Sequence, residues 1–170
     1  WIAVVYAGGG VPGASSRTFG RLRGRLSGWI PIDRANELQL RAEGGAVLAE
    51  GRENIPSTLL FRTGGDNTVR GYAYRSIGVT LPDGQTAAGR YVAVGSLELQ
   101  RPIRVDGVVS AWDFIAFVDA GDVSNKPQEL TAKVGVGAGA QWNSPLGPLQ
   151  VNLAWGVATR QLRLNLSMGV

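Results

Sequence analysis

An all-β fold, an antiparallel transmembrane β-barrel, is what this 170-residue sequence predicts, and three observations carry the prediction. Apolar and polar residues alternate one by one over runs of about ten residues, which is the period of a strand with two unlike faces. No apolar run reaches about 18 residues, so no helix is predicted to cross a bilayer, whereas barrels cross with short alternating strands. The composition completes the case. Glycine, at 25 residues, is about twice its usual ~7% share, and of 17 basic residues only Lys126 and Lys133 are lysine. A water-soluble sandwich or barrel would turn its apolar face inward and cover its outside with Lys and Glu. Here the polar faces are Gly, Asn, Gln, Ser and a few Arg and Glu, which suits a lumen, and the opposite faces are Leu, Val and Trp, which suit lipid.

Eight strands are expected in order. Residues 1–8 form the first, with poorer alternation. Residues 17–32 set Leu22, Leu26 and Ile30, spaced by glycines, opposite Arg21, Arg23, Arg25 and Ser27; Trp29 falls on the arginine side, and a β-bulge is expected to correct it. Residues 36–49 set Leu38, Leu40, Ala42, Ala46 and Leu48 against Glu37, Gln39, Arg41 and Glu43. Strands at 90–104 and 110–120 follow. In 133–142, Val134, Val136, Ala138, Ala140 and Trp142 oppose Gly135, Gly137, Gly139 and Gln141; in 149–157 every odd position is apolar; 162–170 repeats the pattern from Leu162 to Val170. Tight turns at 31–36 and 143–148 share one end of the strands, and longer Gly/Ser/Asn/Pro-rich links at 8–17 and 121–130 share the other, the asymmetry of outer-membrane barrels. With the tight turns at the periplasmic end, Trp112 and Trp142 fall at that interface and Tyr6, Tyr91 and Trp155 at the other, as two aromatic girdles.

The composition also excludes function classes. With no Cys and no His, zinc and haem ligation, a thiol nucleophile and a His-based triad are out of reach; no metal and no cofactor are expected. The net charge of +4 is spread along the chain, so no nucleic-acid face is expected. An enzyme reading would start from Asp113, Asp119 and Asp122, but one lies in a loop and the others share a strand, and nothing marks a sugar site. Gly135-x-Gly137-x-Gly139 lies inside a strand with no helix after it, so it reads as small lumen residues and not as a dinucleotide loop. A simple pore is the serious rival, since Arg21, Arg23, Arg25 and Arg41 would line an anion-preferring lumen.

Residues 51–89 form a connection several times longer than a hairpin loop. Leu59, Leu60, Phe61, Val69, Tyr72, Tyr74 and Ile77 make it too apolar for a solvated linker, so it is expected to pack on something. At its centre, Gly64-Gly65 permits a positive-φ turn and Gly71 a close backbone approach. Arg70 between them, carried into an interior, needs carboxylates. By parity Glu98, with Ser96 and Gln100, and Asp119, with Asp113, point into the lumen as candidate partners; pairing of these acids with Arg101 or Arg104 is the alternative. An eight-stranded barrel holds only its own side chains. The eight strands are therefore expected to belong to a larger cylinder, completed by further sequence or by a second chain.

At these residues a resemblance appears. Gly64-Gly65-Asp66-Asn67-Thr68-Val69-Arg70-Gly71-Tyr72 resembles the VRGF/Y signature loop of the bacterial surface antigen superfamily, the barrels of the outer-membrane assembly and translocation proteins BamA and TamA and of two-partner secretion transporters. Gly95-Ser96-Leu97-Glu98, Phe117-Val118-Asp119-Ala120-Gly121 and the run from Gly137 to Pro148 are similar, in the same order, to its C-terminal strand motifs. Gly-Gly-Asp before Val-Arg-Gly-Tyr is nearer to TamA than to BamA.

The resemblance implies a barrel of about 16 strands, with the signature loop folded into the lumen and Arg70 bonded to Glu98 and Asp119. It implies a weakly zipped seam between last and first strands, where substrate strands are templated into the membrane. The function implied is outer-membrane protein assembly or translocation, with lipid, unfolded outer-membrane or autotransporter substrates, and a periplasmic or inner-membrane partner reached through N-terminal repeats. Against that pattern, residues 1–170 read as the C-terminal part of a barrel domain: soluble N-terminal repeats and half of the strands are not in it, it opens on Trp1 without a leader, and Val170 stands where such barrels carry a terminal aromatic.

Overall fold

Alternation becomes a single antiparallel sheet. The computed structural model describes residues 1–10, 19–33, 35–49 and 55–168; most of the expected link at 8–17, residues 50–54 around the start of the long connection, Arg34 of the first tight turn, and Gly169 and Val170 lie outside the described residues. In chain order the strands are β1 (Ile2–Gly10), β2 (Phe19–Pro31), β3 (Glu37–Leu48), β4 (Val79–Thr80), β5 (Thr86–Ala87), β6 (Tyr91–Val105), β7 (Val108–Ser124), β8 (Lys133–Ser144), β9 (Gly147–Gly156) and β10 (Gln161–Met168). The eight long strands pair in the order β1-β2-β3-β6-β7-β8-β9-β10, while β4 and β5 make a separate small pair within the long connection. Among the described residues β1 pairs only with β2 and β10 only with β9. The sheet is thus an open arc, part of a barrel, and the eight strands do not close on themselves.

Register gives each face its chemistry. Leu40, Leu97, Val118, Val136, Trp155 and Leu162 stand opposite one another in turn, an apolar row across six strands. The adjacent row reads Ser27, Arg41, Ser96, Asp119, Gly135 and Gly156 and lies on the face that the long connection covers, here the inner face. A slip of one residue would exchange these two faces, so burying the inner one fixes the register. Outer-face side chains of the edge strand β10 are 60–67% exposed, because no further strand flanks them.

Three sequence expectations change. β2 pairs with both neighbours without a shift, so no bulge corrects Trp29, which stays on the inner face opposite Gln39. The register shift lies in β6 instead, between Pro102 and Arg104, where Pro102 has no N–H to offer the ladder. β7 runs on to Ser124, opposite Tyr91, before a 3₁₀ turn at Pro127–Glu129. Tyr6 stands opposite Arg23 and so on the inner face, away from the girdle expected of it. In β1, Val4 and Val5 leave the alternation ambiguous, and pairing to β2 decides the facing. The other girdle residues, Tyr91, Trp112, Trp142 and Trp155, lie on the outer face, with Trp112 and Trp142 stacked at 6.2 Å between ring centroids.

The turns at the tight end have local causes. Asp106 and Gly107 both take positive φ, 52° and 80°, which is the type I′ hairpin that an Asp-Gly pair favours. In the 31–36 turn the Asp33 carboxylate accepts the N–H groups of Ala35 and Asn36, at 2.7 and 2.8 Å, and these bonds hold its carboxyl below the ordinary carboxylate range.

The core sits between sheet and loop. Ile55, Leu60, Phe61, Val69, Tyr72 and Ile77 from the long connection are buried against Val47, Val92, Val94 and Val123 of β3, β6 and β7. The expectation that the connection packs is met, and its own backbone is zipped: Phe61 and Gly89 exchange hydrogen bonds at 2.8 and 2.9 Å, as do Thr63 and Ile77 at 3.0 and 2.9 Å. These bonds satisfy polar groups that the inner face alone would leave bare.

Candidate functional site

The connection narrows to a tip whose shape follows from glycine. Gly64 and Gly65 have φ of 101° and 106°, and Gly71 has 91°, conformations that side chains disfavour. Within the tip the Gly64 N–H donates to Thr68 Oγ1 at 3.0 Å and the Thr68 N–H to the Gly65 carbonyl at 3.0 Å. The tip therefore presents Val69 and Arg70 in one orientation.

Arg70 is 4% exposed and is held from several sides. Its Nε and one terminal nitrogen donate to the two oxygens of Asp119 at 2.7 and 2.9 Å, a bidentate fork. Its backbone N–H also donates to Asp119, at 3.0 Å, and its other terminal nitrogen donates to Glu98. Ser96 Oγ donates to Asp119 at 2.6 Å, and Gln150 Nε2 reaches Glu98 at 3.3 Å. The guanidinium lies 3.4 Å from the Phe117 ring centroid, a favourable cation–π geometry. Asp119 is wholly buried. One cation facing two carboxylates leaves a local excess of negative charge, and Arg41 brings a second cation within electrostatic reach of both acids.

Two backbones meet beside this clamp. A Cβ on Gly135 would fall on the Arg70 carbonyl oxygen, and one on Gly71 would approach the Gly156 nitrogen to 2.7 Å. Glycine in β8 and glycine in the tip let loop and sheet touch main chain to main chain. Tyr72 fastens the far side: its hydroxyl donates to the Val134 carbonyl and accepts the Ala158 N–H, each at 3.2 Å. Tyr72→Phe is expected to lower unfolding free energy by about 1 kcal/mol, read as a shifted urea midpoint with unchanged slope in detergent micelles. Asp66, at the outermost point of the tip, accepts a hydrogen bond from Asn165 of β10, so the loop spans from the middle of the sheet to its last strand.

Every signature residue expected from sequence, Gly64, Gly65, Asp66, Val69, Arg70, Gly71 and Tyr72, is thus at this contact, and Glu98 and Asp119 are brought to Arg70. Neither acid pairs with Arg101 or Arg104 among the described residues. Arg21, Arg23, Arg25 and Arg41 share the inner face but stand outside the clamp. Of the other acids, Asp113 accepts from Gln100 and Asn143 at 2.8 and 2.7 Å, and Asp122 pairs with Lys133 at 2.6 Å. Ser96, Phe117, Gly135 and Asn165 were not anticipated as parts of the site. Parity with Glu98 and Asp119 marks Ser96 and Phe117 in the sequence; the role of Gly135 and Asn165 has no local signal.

The Omp85 superfamily domain matches residues 3–169. The chain belongs to the Omp85 superfamily. Over 114 residues it is 32% identical to the outer membrane protein assembly factor BamA of Nitratidesulfovibrio vulgaris, covering 65% of this chain and 14% of that protein. It is 33% identical over 144 residues to the chloroplastic outer envelope protein 80 of Arabidopsis thaliana, covering 81% of this chain and 18% of that one. The crystal structure of BamA from Haemophilus ducreyi lacking POTRA domains 1–3 superposes with a TM-score of 0.70 at 22% identity, over 98% of this chain and 37% of that one. This Omp85 chain therefore spans less than a fifth of the curated relatives it matches. It is an integral outer-membrane β-barrel chain, with the inner face toward the lumen and the apolar rows toward lipid.

Proposed function

We propose that this Omp85 chain is the C-terminal part of the barrel of an outer-membrane protein assembly factor, which inserts β-barrel or autotransporter substrates and performs no bond chemistry. The observation that carries the reading is the buried clamp of Arg70 on Glu98 and Asp119, which ties a long loop to the inner face of the sheet. β10 has eight residues in register with β9, and among the described residues the N–H and C=O groups of its other edge meet no strand. Such an edge templates an incoming strand by β-augmentation. In this reading the barrel is completed by further sequence, lipid surrounds the outer face, and preceding soluble repeats contact a periplasmic or inner-membrane partner. The Gly64-Gly65-Asp66 tip favours the TamA-like branch and autotransporter substrates.

The test is reconstitution of the full protein into liposomes with an unfolded outer-membrane substrate. The expected result is faster appearance of the folded, heat-modifiable substrate than in protein-free liposomes. Folding at the lipid-only rate together with steady anion-selective conductance would instead support the simple pore, which the inner-face arginines favour.

A further inference from the structure

A second cluster lies apart from the Arg70 clamp. Between the inner face of β2 and β3 and the flank of the long connection is a cavity of about 270 Å³ lined by Arg21, Arg23, Arg62 and Arg75, with Thr63 among its walls. Glu43 is the only carboxylate of its described lining, and Arg23 already holds it, at 2.9–3.0 Å. Among the described lining residues, four guanidiniums less one carboxylate leave a net charge of three positive. Arg62 and Arg75 meet no carboxylate among the described residues; one terminal nitrogen of Arg62 donates to the Thr86 carbonyl, and its remaining donors are open. Arg21 lies over the Phe61 ring at 4.8 Å and donates to the Leu59 carbonyl at 2.9 Å, which fixes its plane. Thr63 supplies an independent sign. It is 3% exposed, and its hydroxyl has no hydrogen-bond partner among the described residues, although a buried hydroxyl costs free energy unless it is paired.

Like charges gathered without counter-charge repel, and a buried hydroxyl without a partner is costly, so both features ask for the same missing group: a small acceptor-only oxyanion. The geometry points to a phosphate-class anion site, in which Arg62 and Arg75 supply charge and forked donors and Thr63 supplies a neutral donor. Phosphate matches the guanidinium fork, and the volume admits a phosphate or the phosphate end of a phosphorylated sugar. Bound there, the anion bridges the loop flank to β2 and holds the loop in the lumen from the side opposite Arg70.

Inorganic phosphate is the probe, added to the full protein folded in detergent micelles, with sodium chloride at matched ionic strength as the control for screening. Phosphate is expected to raise the thermal midpoint and slow protease cleavage within 58–75, while chloride does neither. In Arg62→Gln/Arg75→Gln the apparent phosphate affinity falls at least tenfold. Thr63→Val weakens phosphate binding too, yet keeps the phosphate-free midpoint at or above that of the parent, since it removes only a hydroxyl lacking a partner. Glucosamine phosphate in place of phosphate separates the sources: tighter binding assigns the site to a phosphorylated glycan, equal or weaker binding to the free ion. Identical effects of phosphate and chloride, or a phosphate response intact in both variants, would overturn the site.

Discussion

Arg70→Ala is expected to free the loop tip while leaving the sheet intact. The substitution strips Asp119 of its guanidinium fork and Glu98 of its ion pair, and leaves two buried carboxylates facing each other with Arg41 as the nearest remaining cation. Removing one partner from a buried ion pair costs about 3–5 kcal/mol, because the remaining charge stays desolvated. The ladder bonds of β6 and β7 do not involve the side chain, so strand content by circular dichroism should hold. The apolar packing of Leu60, Phe61 and Ile77 should keep the base of the loop seated. Cleavage is therefore expected around 63–72 in outer-membrane vesicles, with a matching loss of substrate insertion. Arg70→Lys keeps the charge without the bidentate fork and should fall between the two. Equal protection of mutant and parent loops would show that the clamp does not hold the tip.

Gly135→Ala is expected to give the same loss of protection without touching a charge. The φ of Gly135 is not in the left-handed region, so alanine suits β8 itself, but its Cβ lands on the Arg70 carbonyl oxygen. A backbone atom cannot swing aside as a side chain can, and overpacking of this kind costs about 1–3 kcal/mol or drives the two surfaces apart. Separating them lengthens every Arg70 hydrogen bond, so function should fall with protection. Gly95→Ala is the control, because a Cβ there meets nothing within 4 Å. Parent-like protection in Gly135→Ala would mean that loop and sheet are not in main-chain contact there.

Strand number, order and facing were largely legible, because in a barrel wall each residue sees lumen or lipid and the period of two is written along the chain. The exceptions are informative. Trp29 breaks the pattern without breaking the register, since eleven other pairs along β2 and β3 outvote one residue. Tyr6 sits in the strand with the weakest alternation and took its face from β2. Val92, Val94 and Phe117 are apolar yet inward, which a lumen filled with water would not allow and a lumen filled by the loop requires. The Asp106-Gly107 turn rests on a local φ preference of its two residues. The shift at Pro102 follows from a missing donor but needs the pairing partner to be located.

The sequence by itself determined an alternating, lysine-poor, glycine-rich wall and a long apolar loop with Arg70 between its glycines, whose need for carboxylates named Glu98 and Asp119 as candidates through strand parity. Only the tertiary structure decided that Gly135 and Gly156 are the backbones that the tip meets, that Asp66 reaches Asn165, and that four other arginines line one cavity with Thr63. The division has a physical reason. Face and period are properties of neighbouring residues along one chain, whereas backbone approach and charge clustering depend on which segments the register and the loop bring together across dozens of positions.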